Sequence, residues 1–282
     1  MTTAPTTTVP TITLNNGVRM PQLGFGVFQV PDDETAAAVR TALEVGYRSI
    51  DTAAVYGNEA GVGRALAESG LPRDELFITT KVWNSDQGYD ETLRAFDASA
   101  AKLGLEQLDL YLIHWPTPDR GRYLDTWRAL ERLLADGRTR AIGVSNFEPE
   151  HLERLIAASD VVPAVNQVEL HPAFANRDAL VADTRHGIAT EAWSPLAQGA
   201  VLGEASVVEI AARHSRTPAQ VVLRWHLQQG RIVIPKSVTP ARIAENFDVF
   251  GFELSADELA AIDALDARDG RTGPHPAEFH AA

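Results

Sequence analysis

Residues able to move a proton or hold a charge recur at one place in this sequence, the ends of short apolar runs. Asp51 closes "RSID", Lys81 closes "LFITTK" and His114 closes "LDLYLIH". Ser145 and Asn146 end a fifth run, Asn166 and Gln167 sit in a sixth, Trp193 ends a seventh, and Lys236 and Ser237 follow an eighth. Tyr56 lies in the loop after Asp51. An unperturbed phenol holds its proton up to a pH of about 10, too high for an efficient acid near neutrality. A cation close to its oxygen favours the phenolate and lowers that value. Lys81 is the candidate cation, and Asp51 would pair with it and fix its position. The chemistry on offer is proton transfer. Each residue alone also fits ordinary structure: a packed loop Tyr, an ion pair between adjacent strand ends, a satisfied core His. Recurrence at successive strand ends favours a site.

The elements that must position these residues follow from the apolar pattern. Eight β-rich runs are expected: Gln22–Val27, Arg48–Asp51, Leu76–Lys81, Leu108–His114, Arg140–Ser145, Ala164–Val168, Ile188–Trp193 and Ile232–Pro235. Several are continuously apolar, as expected of strands buried on both faces in a parallel sheet. Amphipathic helices are predicted between them, at Asp33–Val45, Tyr89–Leu103 and Tyr123–Ala135, with a further one opened by Thr217-Pro218 and ending near Gln229. Gly46, Gly70, Gly104 and Gly137 stand where helix-ending glycines belong. Eight strand–helix units in 282 residues match a (β/α)8 TIM barrel, a fold of about 250 residues. A doubly wound open sheet with fewer strands is the rival. In the barrel, the strand ends named above would share one face, the face that carries active sites. "TITLNNGVRM" at 11–20 reads as an N-terminal β-hairpin around Asn16-Gly17. Residues 1–10 read as a flexible start and 267–282 as an irregular C-terminal tail, with 1–282 forming a single domain.

Composition narrows the function classes. The chain is 45% apolar and 22% charged, with a net charge of −13. No basic excess suits it to nucleic acid, so a small-molecule partner is expected. It contains no Cys, which removes disulfides, thiol catalysis and Cys-bound zinc. No apolar stretch approaches the roughly 20 residues needed to cross a bilayer. The first ten residues lack the basic and apolar segments of a secretory signal, so a cytoplasmic location is expected. Of 25 basic residues only Lys81, Lys102 and Lys236 are Lys. Two of the three lie at the strand ends in question.

Several patterns carry less weight. "GFGVFQ" at 24–29 lacks the third Gly of a dinucleotide fingerprint. No Tyr has a Lys four residues on, and Ser99 and Lys102 match a Ser-x-x-Lys pattern by chance. Glu169 and His171 could touch a metal, but two ligands are too few, and no metal is expected.

Three long segments resemble the signatures of the aldo-keto reductases, in family order. They are "GYRSIDTAAVYGNEAGVGRAL" at 46–66, "LDLYLIHWP" at 108–116 and "IPKSVTPARIAEN" at 234–246. "TAAVYGNEAGVG", "HWPTP", "VPAVNQVELHP", "LRWHLQQG" and "NFDVF" carry a closer similarity to the bacterial 2,5-diketo-D-gluconate reductase-like branch. The resemblance spans nearly the whole chain. It implies NADPH-dependent reduction of an aldehyde, ketone, dicarbonyl or keto-sugar acid, in a monomer. Asp51, Tyr56, Lys81 and His114 match the implied catalytic tetrad, with Tyr56 as proton donor and His114 orienting the carbonyl.

The same resemblance implies a cofactor site. Trp193 would stack on the nicotinamide, with Val27 also in contact, and Ser145, Asn146 and Gln167 would bind its carboxamide. Ser194, Leu196 and Gln198 would flank the pyrophosphate. Lys236, Ser237 and Arg242 would meet the 2′-phosphate, through charge-assisted bonds that NADH cannot make, with Val238 also a cofactor contact. Glu245 and Asn246 would reach the adenosine. Phe28, Val55, Trp83 and Trp115 are expected to wall the substrate pocket, although each aromatic also fits an ordinary core. An NADPH-binding regulatory subunit with little turnover is the other class considered.

Overall fold

The computed structural model describes residues 9–267 and 269–281. Most of the expected flexible start, and positions 268 and 282 of the expected tail, lie outside the described residues. The chain opens with strands β1 (Thr11–Thr13) and β2 (Arg19–Pro21), paired antiparallel with Ile12 opposite Met20. Gly17 takes the turn at φ 84°, where a side chain would be strained.

Eight parallel strands follow: β3 (Phe25–Gly26), β4 (Ser49–Asp51), β5 (Phe77–Val82), β6 (Leu108–Ile113), β7 (Thr139–Ser145), β8 (Val165–Glu169), β9 (Ala189–Trp193) and β10 (Ile232–Val233). Each pairs with its neighbours in sequence order. The sheet closes on itself where Leu23 bridges Val233, the Gly24 N–H donates to the Val233 carbonyl at 2.8 Å and the Gly26 N–H to that of Pro235 at 3.1 Å. This is the (β/α)8 barrel, and the rival open sheet falls away. β3 and β10 are shorter than their apolar runs. Pro235 has no N–H to give, and a Cβ at Gly26 would stand 3.0 Å from the Ile234 carbonyl oxygen, so the closing seam is a close backbone crossing.

The outer helices are α1 (Asp32–Val45), α2 (Glu59–Glu68), α3 (Tyr89–Leu103), α4 (Tyr123–Ala135), α5 (Pro149–Ile156), α6 (Arg177–His186), α7 (Ala205–His214), α8 (Pro218–Gln228), α9 (Pro240–Phe247) and α10 (Ala256–Asp263). The long gap before β10 holds both α7 and α8. α8 opens with Pro218 in its first turn, as the sequence suggested, and the Thr217 and Gln220 side chains cap each other's backbone N–H.

Side chains alternate across each strand, and that alternation positions the site. Ile78, Val82, Tyr111 and Ile113 face the helices in the larger apolar cluster. Phe77, Leu110, Leu112, Ala141 and Val165 face inward and pack with Leu14 and Met20 of the hairpin. Asn15 and Asn16 tie the hairpin to the carbonyls of Pro163 and Arg140, at 2.9 and 3.0 Å. The lower barrel is therefore a dry, plugged core. Further along the strands the inward positions carry the charged and strongly hydrogen-bonding groups: Asp51 two residues after Ser49, Lys81 after Thr79, His114 after Leu112, Gln167 after Val165.

Candidate active site

Lys81 and Asp51 form the centre of the polar layer. The Lys81 ammonium donates to Asp51 Oδ1 at 2.6 Å and to the Thr52 carbonyl at 2.9 Å, and both side chains are buried. Tyr56 ends a single helical turn, Ala54–Tyr56, just beyond. Lys81 Nζ lies 5.3 Å from the Tyr56 ring centre, and the His114 ring is 5.7 Å from the same centre. The structure thus brings together the four residues singled out at the strand ends.

Burial pushes the Tyr56 phenol above its ordinary value; Lys81 pulls against this, and Asp51 and Glu191 add to it. The net direction is therefore opposite to that expected from the Lys81 cation alone, because burial outweighs it. For Lys81, burial alone would lower the pKa, but Asp51, Tyr56 and Glu191 together hold it above its usual value. Burial, then the Lys81 charge, drives the His114 imidazole well below its ordinary range. At neutral pH the layer therefore holds a protonated phenol, an ammonium and a neutral imidazole.

Two residues missed by the sequence reasoning support this group. The Asn58 amide donates to the carbonyls of Val27 and Val30, both at 2.9 Å, and Asn58 Oδ1 accepts the Thr52 hydroxyl at 2.8 Å. It ties the Tyr56 loop to the segment carrying Phe28. Glu191 is wholly buried on β9, and burial, with the Asp51 charge, raises its pKa to about 8. Gln167 Nε2 bridges the two carboxyls, 2.8 Å from Asp51 Oδ2 and 2.8 Å from Glu191 Oε2. One ammonium faces two carboxyls, and the second stays neutral by keeping its proton.

The aromatic residues gather as expected. Phe28 lies 5.0 Å from Tyr56 and is half exposed; Trp83 lies 5.1 Å from His114. Trp115 is nearly parallel to His114 at 6.4 Å, and Val55 is exposed beside Tyr56. A further wall comes from the tail: the Phe279 ring is 4.3 Å from Trp115 and 6.1 Å from Trp83. No pattern in the tail announced it.

Ser145, Asn146, Gln167 and Trp193 also come together, largely through bonds to one another. The Ser145 hydroxyl donates to the Gln167 carbonyl at 2.7 Å, Asn146 Nδ2 to the His114 carbonyl at 3.0 Å, and Trp193 Nε1 to Asn146 Oδ1 at 2.8 Å. Asn146, Ser194, Ala197 and Gln198 all adopt positive φ, and backbone strain of this kind collects at functional sites. Leu196 stands just before that turn and is half-buried, while Val27 is buried. Lys236 and Val238 are exposed between β10 and α9, with Ser237 half-buried. Arg242 is exposed in the first turn of α9. Asn246 is buried, and the Glu245 carboxylate accepts the Thr217 hydroxyl at 2.9 Å.

A closed barrel with this layer at the C-terminal ends of its strands defines a class of protein, and comparison with known sequences and structures identifies that class. The profile described as the aldo/keto reductase family matches residues 22–267. An aldo-keto reductase of Mycolicibacterium smegmatis is 55% identical, covering 96% of this chain and 98% of that protein. A glyoxal reductase of Bacillus subtilis is 52% identical over 98% and 99% of the two chains. The crystal structure of a mutant of Gox0644 in complex with NADPH is 53% identical, with a TM-score of 0.93 over 96% of this chain and 99% of that one. The chain belongs to the aldo/keto reductase family and is an oxidoreductase of that class. No helix among the described residues is long and apolar enough to cross a membrane.

Proposed function

We propose that this protein reduces small carbonyl compounds to alcohols with NADPH. The observation carrying the reading is the placement of the Lys81 ammonium 2.6 Å from Asp51 and 5.3 Å from the Tyr56 ring, with His114 on the same ring. The similarity to a glyoxal reductase and to a structure in complex with NADPH supports it.

The residues present fit the nucleotide. Trp193 offers a half-buried ring held by Asn146. Lys236 and Arg242 bracket the start of α9, where helix N–H groups favour anions. On this reading these cations, with Ser237, hold the 2′-phosphate, and Val238 is a further cofactor contact. Ser194, Leu196 and Gln198 lie along the pyrophosphate, and Glu245 and Asn246 meet the adenosine. Ser145, Asn146 and Gln167 serve the carboxamide, with Val27 alongside. The bound nucleotide supplies a hydride to the carbonyl carbon.

Everything else falls to side chains. Neutral His114 donates a hydrogen bond to the carbonyl oxygen and orients it. The Tyr56 hydroxyl gives its proton to that oxygen as the carbon accepts the hydride pair. Burial keeps the phenol protonated at the start; Lys81 stabilises the phenolate as the proton leaves, and Asp51 holds Lys81 in place. Phe28, Val55, Trp83 and Trp115 wall a pocket suited to a compact aldehyde, dicarbonyl or keto-sugar acid. The expected working form is a cytoplasmic monomer, in keeping with the bacterial branch the sequence resembles.

NADPH consumption with glyoxals, aldehydes and keto-sugar acids tests the reading. Tyr56→Phe should lower kcat by on the order of 10²- to 10⁴-fold while NADPH still binds. Near-normal turnover in that variant, or NADPH binding without turnover of any carbonyl by the unmodified protein, would overturn it.

A further inference from the structure

Glu169 ends β8 and is almost wholly buried, yet it takes no part in the proton-transfer layer. Its carboxylate accepts four hydrogen bonds. Oε1 receives the Thr272 N–H at 2.6 Å, the Thr272 hydroxyl at 2.7 Å and His171 Nε2 at 3.0 Å; Oε2 receives the Gly273 N–H at 2.9 Å. Three of the four come from the C-terminal tail, so this strand end is a latch for a segment about a hundred residues away in sequence. Glu169 is also the register partner of Trp193 across the β8–β9 pair.

Gly273 connects the latch to that Trp. Its φ lies outside the left-handed region, so no backbone strain calls for glycine there. What calls for it is space: a Cβ would collide with Trp193 Cη2, stand 3.3 Å from Cζ3 and come 3.0 Å from Glu169 Oε2. The tail backbone therefore lies directly on the outer edge of the indole. The opposite end of the ring is held by its N–H on Asn146 Oδ1. One hydrogen bond alone leaves an indole free to swing about that bond; the tail contact removes the freedom.

We propose that Glu169 is a positioning residue for cofactor stacking, which pins Thr272 and Gly273 so that the tail clamps the Trp193 indole into the plane that receives the nicotinamide. This rests on the reading of Trp193 as the stacking platform. A ring already ordered binds without the ordering cost, which for one side chain amounts to roughly a three- to tenfold change in affinity.

The test compares Glu169→Gln and Gly273→Ala with the parent protein, each alone and combined with Trp193→Ala. Gly273→Ala keeps the Glu169 carboxylate and crowds the tail chiefly against Trp193, so it reports even where Glu169→Gln folds poorly. Two readouts are taken. The first is the ¹⁹F spectrum of protein labelled with 5-fluorotryptophan and free of nucleotide, with the Trp193 signal assigned by its loss in Trp193→Ala. The second is the Kd for NADPH. The expected result is a shifted or broadened Trp193 signal and a three- to tenfold weaker Kd in both tail-contact variants, with no further weakening where Trp193 is already Ala. A merely structural latch would lower the melting temperature and leave the Trp193 signal and Kd unchanged. That result, or a penalty that persists in the Trp193→Ala background, overturns the proposal. Failure of the parent protein to bind NADPH would instead strike the cofactor reading, and the ¹⁹F result would still decide whether the tail holds the ring.

Discussion

Glu191→Gln removes a proton that the folded barrel is built to keep. The Glu191 carboxyl is wholly buried, burial and the nearby Asp51 charge raise its pKa from 4.5 to about 8, and Gln167 Nε2 bonds it at 2.8 Å. In the unfolded chain the same carboxyl ionises at its ordinary value. Between these two values the folded state binds one more proton than the unfolded state. Stability conferred by the group is therefore full below about pH 4.5 and is lost as pH rises towards about 8. At about 1.4 kcal/mol per unit, the loss between about pH 5 and about pH 7.5 is on the order of 3 kcal/mol. Gln keeps an oxygen for the Gln167 amide and carries no proton to release. Urea unfolding of both proteins across that range checks this. The variant should gain on the parent as pH rises, and comparing the two removes contributions from other groups, including buried Asp183, whose pKa burial raises to about 7. A stability difference that stays constant with pH would refute the reasoning, because Glu191 would then be ionised in the folded protein.

Other expectations follow from single contacts. Lys236→Ala combined with Arg242→Ala should raise the KM for NADPH by about 10- to 100-fold, the scale of one or two charge-assisted bonds, while the KM for NADH changes little; steady-state kinetics with both nucleotides checks it. Asn58→Ala strips three buried hydrogen bonds from the Tyr56 loop. It should cost about 2–4 kcal/mol and lower kcat as well, measured by denaturant unfolding alongside turnover.

Most of what positions the tetrad is legible in the sequence. Asp51, Lys81 and His114 each end an apolar run, and period-2 alternation fixes which face they share. Glu191 is legible by the same rule, since it stands two residues before Trp193 on the same strand face, but a lone acid in a short run carries no signal of burial. The direction of the Tyr56 shift was not legible, because proximity to Lys81 can be guessed from strand ends but burial cannot. Phe279 and the Glu169 latch lay further out of reach. The spacing of Glu169 and His171 suggests at most a pair of metal ligands, and the groups that bond the carboxylate come from a tail with no periodicity to place it. Contacts across such separations are decided by the packing of the finished barrel.

The chain of bonds from Lys81 through Asp51 and Gln167 to Glu191 joins β4 and β5 to β8 and β9, on the far side of the ring. Mechanically it is a strut across the mouth. A barrel of parallel strands resists stretching along its ladders but is soft towards flattening into an oval, and a cross-tie opposes that mode. The loops above can then be exchanged, lengthened or repacked while the aperture beneath them keeps its width. A scaffold braced in this way lets substrate range drift through its loops without the reacting groups losing their spacing.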